Sequence, residues 1–225
     1  GEKPDGENMP QDTTTDESGT STKGIKAGGG MYLNGGTYQI DSADDSIHSN
    51  ANITIADGTY TLATGDDGVH ADDALIVNGG TITVTESYEG LEGLAVTIND
   101  GTIDITASDD GINTAGEKME LNGGYIHILA GGDGVDSNGD LTINGGEIYI
   151  DGPSDNGNSA IDYGDRSSAY VNGGTLVAIG SSGMAEVMSD SSKQKVLMVK
   201  LGEQMEAGNV VLTDSEGNVI VSYTA

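Results

Sequence analysis

Acidic side chains recur at a fixed distance from a repeated glycine. The last glycine of each Asn-Gly or Asp-Gly turn returns about every 22 residues, at Gly36, Gly58, Gly80, Gly101, Gly124, Gly146 and Gly174. Nine residues after the first five of these glycines stand Asp45, Asp67, Glu89, Asp110 and Asp133. Twelve residues after them stand His48, His70, Glu92, Asn113 and Asp136. All variation in repeat length falls after this motif, so the motif is held in register, as a stacked column of metal ligands requires.

The oxygen-rich column favours calcium. Neighbouring strands lie about 4.8 Å apart, so bare stacked carboxylates would repel by roughly 1 kcal/mol per pair in water and more at a lower dielectric. Carboxylate, carboxamide and backbone oxygens in turns suit Ca²⁺ better than softer metals. The best-supplied sites are predicted to combine Asp66 and Asp67 with Glu89 and Glu92, then Glu89 with Asp109, Asp110 and Asn113, then Asp110 with Asp133 and Asp136, with Asp162 serving the next turn.

Two qualifications apply to this prediction. His48 and His70 replace acids in the first turns, which predicts weaker calcium sites there. The alternative interpretation is a solvated acidic ridge that keeps the protein soluble. Random acidity does not explain the shared register, so we favour calcium.

Short alternating segments must position the column. Ile53 and Ile55 precede a turn, and Ile82 and Val84 follow one, with the period of two that marks strands with one buried face. A third short segment carries one inward apolar residue per repeat, namely Ile47, Val69, Leu91, Ile112, Val135 and Ile161. We therefore predict an all-β, right-handed, single-stranded parallel β-helix of about seven rungs of about 22 residues.

The turns carry an asparagine column as well as glycine. Glycine permits positive φ at no steric cost. The asparagines are interpreted either as a hydrogen-bonded ladder or as plain turn formers, and they are Asn34, Asn78, Asn99, Asn122, Asn144 and Asn172.

Composition changes define three parts of the chain. Residues 1–22 are predicted to be a disordered acidic linker, residues 23–190 the β-helix, and residues 191–225 a C-terminal antiparallel β cap over the last open edge. In the cap we expect strands at Lys195–Val199 and Val210–Leu212, followed by a hairpin into Val219–Tyr223. The inserted loop Pro153–Gly157 is expected to project beside the metal column.

Charge and composition exclude several functions. The 225 residues carry a net charge of −29, which opposes binding to nucleic acid or to anionic membranes. Without cysteine the chain forms no disulfide and no thiolate metal site. No segment is apolar enough for membrane insertion, and we expect a monomer.

Two segments carry a family resemblance: DDGVHADDALIVNGGTITV at Asp66–Val84 and SDDGINTAGEKMELNGGYIHI at Ser108–Ile128. With the Gly180–Ala185 linker and the cap, they resemble the secreted carbohydrate-binding β-helix domains of polysaccharide-degrading anaerobic bacteria. The resemblance implies calcium at the acidic turns, an extracellular or cell-surface location, and binding to cellulose or to acidic sugars such as polygalacturonate. It covers nearly everything after the linker.

The implied fold is also similar to that of family 9 polysaccharide lyases, in which an Asp-Asp-x-x-Asp turn holds calcium and a lysine acts as base. Asp109, Asp110 and Asn113 match that turn with Asn in the last place, while Glu89 and Glu92 stand where the lyases have Asp. A lyase needs a cationic base beside the metal. Between Met31 and Gly183 the only candidates are Lys118 and Arg166, and neither occupies a repeated position. We therefore expect binding without cleavage.

A carbohydrate binder also needs polar groups and flat rings on an outer surface. The outward positions of the second strand offer Tyr125, His127 and Tyr149, while Tyr88 lies beside the column and Arg166 follows the inserted loop. These five residues are the predicted sugar contacts. The competing interpretations are a calcium-dependent pectate-type lyase and a structural or adhesive surface protein in which the β-helix is a stiff spacer.

Overall fold

The computed structural model describes residues 21–116 and 118–225, so most of the predicted linker lies outside the described residues. The described chain is entirely β, as predicted, and forms a parallel β-solenoid of about six turns with a small antiparallel sheet after it. The described residues include no helix long and apolar enough to cross a membrane.

The strands of the solenoid follow one another in the predicted order. They are β1 (Ile25–Ala27), β2 (Met31–Ser42), β3 (Ile47–Ser49), β4 (Ile53–Thr64), β5 (Val69–Val77), β6 (Thr81–Glu86), β7 (Leu91–Ile98), β8 (Thr102–Ala107), β9 (Ile112–Thr114), β10 (Met119–Leu121), β11 (Tyr125–Ala130), β12 (Val135–Ser137), β13 (Leu141–Ile143), β14 (Glu147–Asp151), β15 (Ile161–Tyr163), β16 (Ala169–Val171) and β17 (Thr175–Ile179). After it come β18 (Asn209–Thr213) and β19 (Val219–Thr224).

Each strand pairs in parallel with the strand one turn away. Val135 of β12 pairs with Ile112 of β9 and with Ile161 of β15, which is the predicted third segment. Some strands run through a corner: β2 and β4 continue across the glycine turn, and β5 and β7 join the third segment to the first. The predicted register therefore holds through the stack.

The core is a column of the predicted inward residues. Ile55, Val77, Ile98, Leu121 and Ile143 form one side of it and are almost completely buried. At the first turn, Met31, Leu33 and Ile40 are only partly buried against this cluster. Because each turn covers its neighbour, the core is continuous although no single turn encloses one.

The glycine turns have the predicted geometry. Gly124, for example, has φ of +83°, and a Cβ there would lie 2.6 Å from the Gly101 carbonyl oxygen. The asparagine ladder also forms: Asn99 donates to Asn78 at 2.8 Å and Asn122 to Asn99 at 2.9 Å. Asn144 and Asn172 extend it. Asn34 pairs in register with Asp57 instead.

The C-terminal segment forms the predicted antiparallel hairpin but differs from the prediction elsewhere. Lys195–Val199 is not a strand, and β18 pairs only with β19 among the described strands. The edge strand β16 is covered instead by an irregular segment, because Ser189 and Gln194 donate backbone N–H groups to Ala169 and Val171. The hairpin is largely exposed and contacts the solenoid through Tyr223. It therefore does not cover the end of the core.

Candidate metal centre and outer face

The acidic turns connect the second strand of each repeat to the third. One carboxylate oxygen in each of four turns accepts the backbone N–H of the next turn. Asp45 Oδ1 accepts from Asp67 and Asp67 Oδ1 accepts from Glu89, at 3.2 and 3.3 Å. Asp110 Oδ1 accepts from Asp133, and Asp133 Oδ1 accepts from Ser159, at 2.6 and 2.5 Å. The acids thus contribute to the stacking of successive turns.

Asp110, Asp133 and Asp136 form one acidic group. One ligand oxygen from each lies within 4.8 Å of the others. Burial raises the pKa of Asp110 to about 8, and the charge of Asp136 adds to this effect. Asp162 lies beside Asp136 in register. Ser159, two residues after the inserted loop Pro153–Gly157, donates its backbone N–H to Asp133 of this group.

A second group lies one turn earlier, around Glu89. Asn113 Nδ2 donates to both Glu89 oxygens, at 3.2 and 3.0 Å. Asn113 Oδ1 is a buried atom without a hydrogen-bond partner. Burial raises the pKa of Glu89 to about 9, and the charges of Glu92 and Asp67 contribute. The group therefore holds clustered oxygens whose ionised form needs a counter-charge.

Asp67, Glu92 and His70 form a third group. His70 Nδ1 lies 3.1 Å from Asp67 Oδ2 and 3.0 Å from Glu92 Oε2. Burial lowers the pKa of His70, but these two hydrogen bonds outweigh it and raise the pKa to about 11. Asp66 does not join this group, and it lies with Asp44 and Asp45 instead.

Lys23 is a functional side chain that sequence reasoning missed. Its Nζ lies 2.9 Å from Asp44 Oδ1 and 2.7 Å from Asp45 Oδ2, with all three side chains almost fully buried. Lys23 stands 22 residues before Asp45, so it occupies the acid position of the preceding turn. That spacing was the available signal. An ammonium group therefore supplies the first counter-charge of the column.

The later acidic groups fit calcium. Their ligand atoms are oxygens only, and Ca²⁺ takes oxygen ligands at 2.3–2.6 Å. Carboxylate oxygens that converge within 4.8 Å, as in the Asp110 group, are close enough to share one such ion. Asp109 has a different contact, because it accepts a hydrogen bond from Tyr88 that raises the pKa of the tyrosine hydroxyl. Tyr88 itself is half-exposed beside the column.

The predicted aromatic surface is present but partly covered. Tyr125 and Tyr149 lie with ring centroids 5.8 Å apart, and Tyr125 is exposed. The ring of Tyr149 is stacked on Tyr223 of the hairpin at 4.8 Å. His127 Nδ1 lies 3.0 Å from Asp104 Oδ1. Tyr149 is thus not a free stacking platform, since a residue far along the chain covers it.

The two candidate lyase bases, Lys118 and Arg166, differ in their contacts. Lys118 Nζ pairs with Glu120 Oε1 at 3.1 Å. Arg166 lies in an exposed turn between β15 and β16, and within residues 21–116 and 118–225 it makes no hydrogen bond or ion pair. Neither cation occupies a repeated position of the acidic turns.

Comparisons with known proteins give one match. A protein-family model described as "Carbohydrate-binding domain-containing protein" matches residues 3–68 and 66–216. Searches of the curated proteins and of the solved structures found no match.

Proposed function

Because the chain belongs to the family of carbohydrate-binding domain-containing proteins, we propose that it is a non-catalytic, calcium-binding protein that attaches to plant cell-wall polysaccharide outside the cell. The ligands are cellulose, acidic sugars such as polygalacturonate, or both. The family supports the polysaccharide-binding role. Calcium, location and substrate are the proposed additions.

The observation that carries the calcium proposal is the grouping of Asp110, Asp133 and Asp136. Their ligand oxygens converge within 4.8 Å although the chain spacing between turns is variable. A divalent ion there offsets the burial, and after it the repulsion by Asp136, that raise the pKa of Asp110. An ion held in these acidic turns also bridges to the carboxylate of a uronic acid, with the half-exposed Tyr88 ring nearby for stacking.

Calcium titration calorimetry on the full chain tests the metal step. Asp110→Asn removes a charged ligand and is expected to weaken calcium binding at least about tenfold. Asp155→Asn is the matched control, because Asp155 is exposed in the inserted loop and its Oδ1 acceptor for Gly157 is retained in Asn. Equal affinity in both variants would remove the column from the proposal.

Binding to polygalacturonate with and without calcium, and co-sedimentation with insoluble cellulose, test the sugar step. Tyr88→Ala is expected to lose about 1 kcal/mol of polygalacturonate binding, roughly fivefold in Kd. Tyr32→Ala removes an exposed ring that lies on the first strand of its repeat and is the control. Retention on neither polymer would favour the spacer interpretation.

The placement of Lys118 and Arg166 favours binding over cleavage. A lyase base must reach the carbon beside the metal-bound carboxylate, whereas Lys118 is paired with Glu120. Incubation with pectate and calcium is expected to give no absorbance from unsaturated uronates. Appearance of that absorbance would establish the lyase alternative.

A further inference from the structure

The first turns of the solenoid carry imidazoles where later turns carry acids. His48 of β3 pairs in register with His70 of β5, and their ring centroids are 5.0 Å apart. Asp72 follows His70 by two residues and is 43% exposed. Its Oδ1 lies 3.7 Å from His48 Nε2 and 3.6 Å from His70 Nε2. One carboxylate oxygen therefore faces the same nitrogen of both rings.

Carboxylates on the inner side fix the orientation of both rings. His48 Nδ1 lies 2.8 Å from Asp45 Oδ2, and His70 Nδ1 lies within hydrogen-bond distance of Asp67 and Glu92. A proton on each Nδ1 satisfies these acceptors, and each Nε2 faces Asp72. A metal ion at His70 Nε2 takes the place of the second ring proton, which the neighbouring acids otherwise favour. The other oxygen of Asp72 accepts from Asn50 Nδ2 at 3.1 Å, which orients this carboxylate as well.

His48 Nε2 gives an independent indication of a ligand. The His48 side chain is almost fully buried, and Nε2 is a buried atom without a hydrogen-bond partner. Buried ring nitrogens are normally hydrogen-bonded or bound to metal. This atom points toward Asp72 at a distance too long for a hydrogen bond.

We propose that His48 Nε2, His70 Nε2 and Asp72 Oδ1 bind a divalent transition-metal ion with the preferences of zinc. Two ligands each about 2.1 Å from zinc in tetrahedral geometry are about 3.4 Å apart. The nitrogen–oxygen distances of 3.7 and 3.6 Å therefore close by a few tenths of an ångström on binding, and the two rings, with centroids 5.0 Å apart, turn to bring their Nε2 atoms onto the same ion. The remaining coordination position faces the exposed side of Asp72. Imidazole suits zinc and its neighbours better than calcium.

Asp45 acts as a positioning residue in this site. Its Oδ2 already accepts from Lys23 and His48, and its Oδ1 accepts the Asp67 N–H. Asp67 and Glu92, which contact Nδ1 of His70, add negative charge that favours the binding of a dication at Nε2. The site adjoins the acidic column, because His70 also contacts Asp67 and Glu92, but its three proposed ligand atoms are not the oxygens assigned to calcium.

Zinc titration of the full chain, with calcium in excess to fill the acidic column, tests the proposal. We expect one zinc ion per chain. Cobalt, used as a probe, is expected to bind as a four-coordinate ion and to give intense visible absorption. Asp72→Asn is expected to weaken both ions about 10- to 100-fold, and His48→Gln to do the same. His127→Gln is the matched control, since the third histidine lies on the outer face.

The outcomes separate the alternatives. Asp72 is exposed, so Asp72→Asn is expected to melt like the wild type without metal, and a lost signal then reports the ligand and not the fold. Zinc binding that survives both Asp72→Asn and His48→Gln would overturn the site. Zinc binding that instead disappears in Asp136→Asn would place the ion in the calcium column and also overturn it. Absence of micromolar zinc binding in the wild-type chain would also overturn the site.

Discussion

At the scale of single residues, Lys23 shows that neutralising the column does not depend on metal alone. It occupies the acid position of its turn and lies between two buried carboxylates, Asp44 and Asp45. Against the effect of burial, hydrogen bonds from His48 and Lys23 lower the pKa of Asp45 to about 2. The column therefore begins with an ammonium group, continues with imidazoles and ends with acids alone.

Lys23→Met is expected to lower the free energy of unfolding by about 3 kcal/mol, because removing one partner of a buried ion pair leaves an uncompensated charge. Chemical denaturation with calcium chelated measures this. Lys118→Met is the control, since its pair with Glu120 is exposed and worth under about 1 kcal/mol. Calcium is expected to restore more stability to Lys23→Met than to the wild type, because Asp44, Asp45 and Asp66 then converge around an open position. Equal losses in the two variants would contradict this account.

At the scale of elements, the asparagine ladder links the turns of five successive repeats. Asn122 donates to Asn99 and accepts from Asn144, whereas Asn78 at the ladder's start has a single ladder bond. The first strand of each repeat ends just before this ladder, so it holds the corner in register. The ladder's contribution to stability is additional to that of the glycine turns.

Asn122→Ala is expected to destabilise the solenoid by about 2 kcal/mol and Asn78→Ala by about 1 kcal/mol, because each ladder bond contributes about 1 kcal/mol. Thermal and denaturant unfolding of the two variants measures the ratio. The same loss in both would mean that the asparagines act only as turn formers.

The sequence predicted these elements well because their causes are local and repeated. Inward residues such as Ile82 and Ile103 lie on strands in which every second side chain is buried. Each turn repeats the glycine that its positive φ requires. The end of the chain has no repeat to guide prediction. The apolar run at Lys195–Val199 has a strand pattern but no partner strand, so it stays irregular and exposed.

The candidate site was partly predictable for the same reason. Register places Asp110, Asp133 and Asp136 together, but spacing alone does not reveal that Asp66 lies with Asp44 and Asp45. The contact of Tyr223 with Tyr149 joins residues far apart in the chain and has no signal in the repeat. Long-range docking of one hairpin is thus what sequence periodicity misses.

At the scale of the whole molecule, the net charge of −29 is concentrated partly in one buried column, so stability depends on pH. Glu89 and Asp110 have a raised pKa in the fold, about 9 and about 8. The folded state therefore binds more protons than the unfolded state between about pH 5 and 9, and stability falls as pH rises through that window. The lowered pKa of Asp45 acts below this window.

Calcium is expected to counteract the loss of stability that follows when these carboxylates ionise. Without metal, the free energy of unfolding should fall from pH 5 to pH 9 by up to about 1.4 kcal/mol per pH unit for each proton that only the folded state retains, and the melting temperature should fall with it. Bound calcium replaces these protons, so the difference between melting temperatures with calcium and with chelator should widen as pH rises. Calorimetry at both ends of the range measures it. Asp110→Asn removes one titrating group and should flatten the chelated curve, while a calcium effect independent of pH would show that the raised carboxylates are not the ligands.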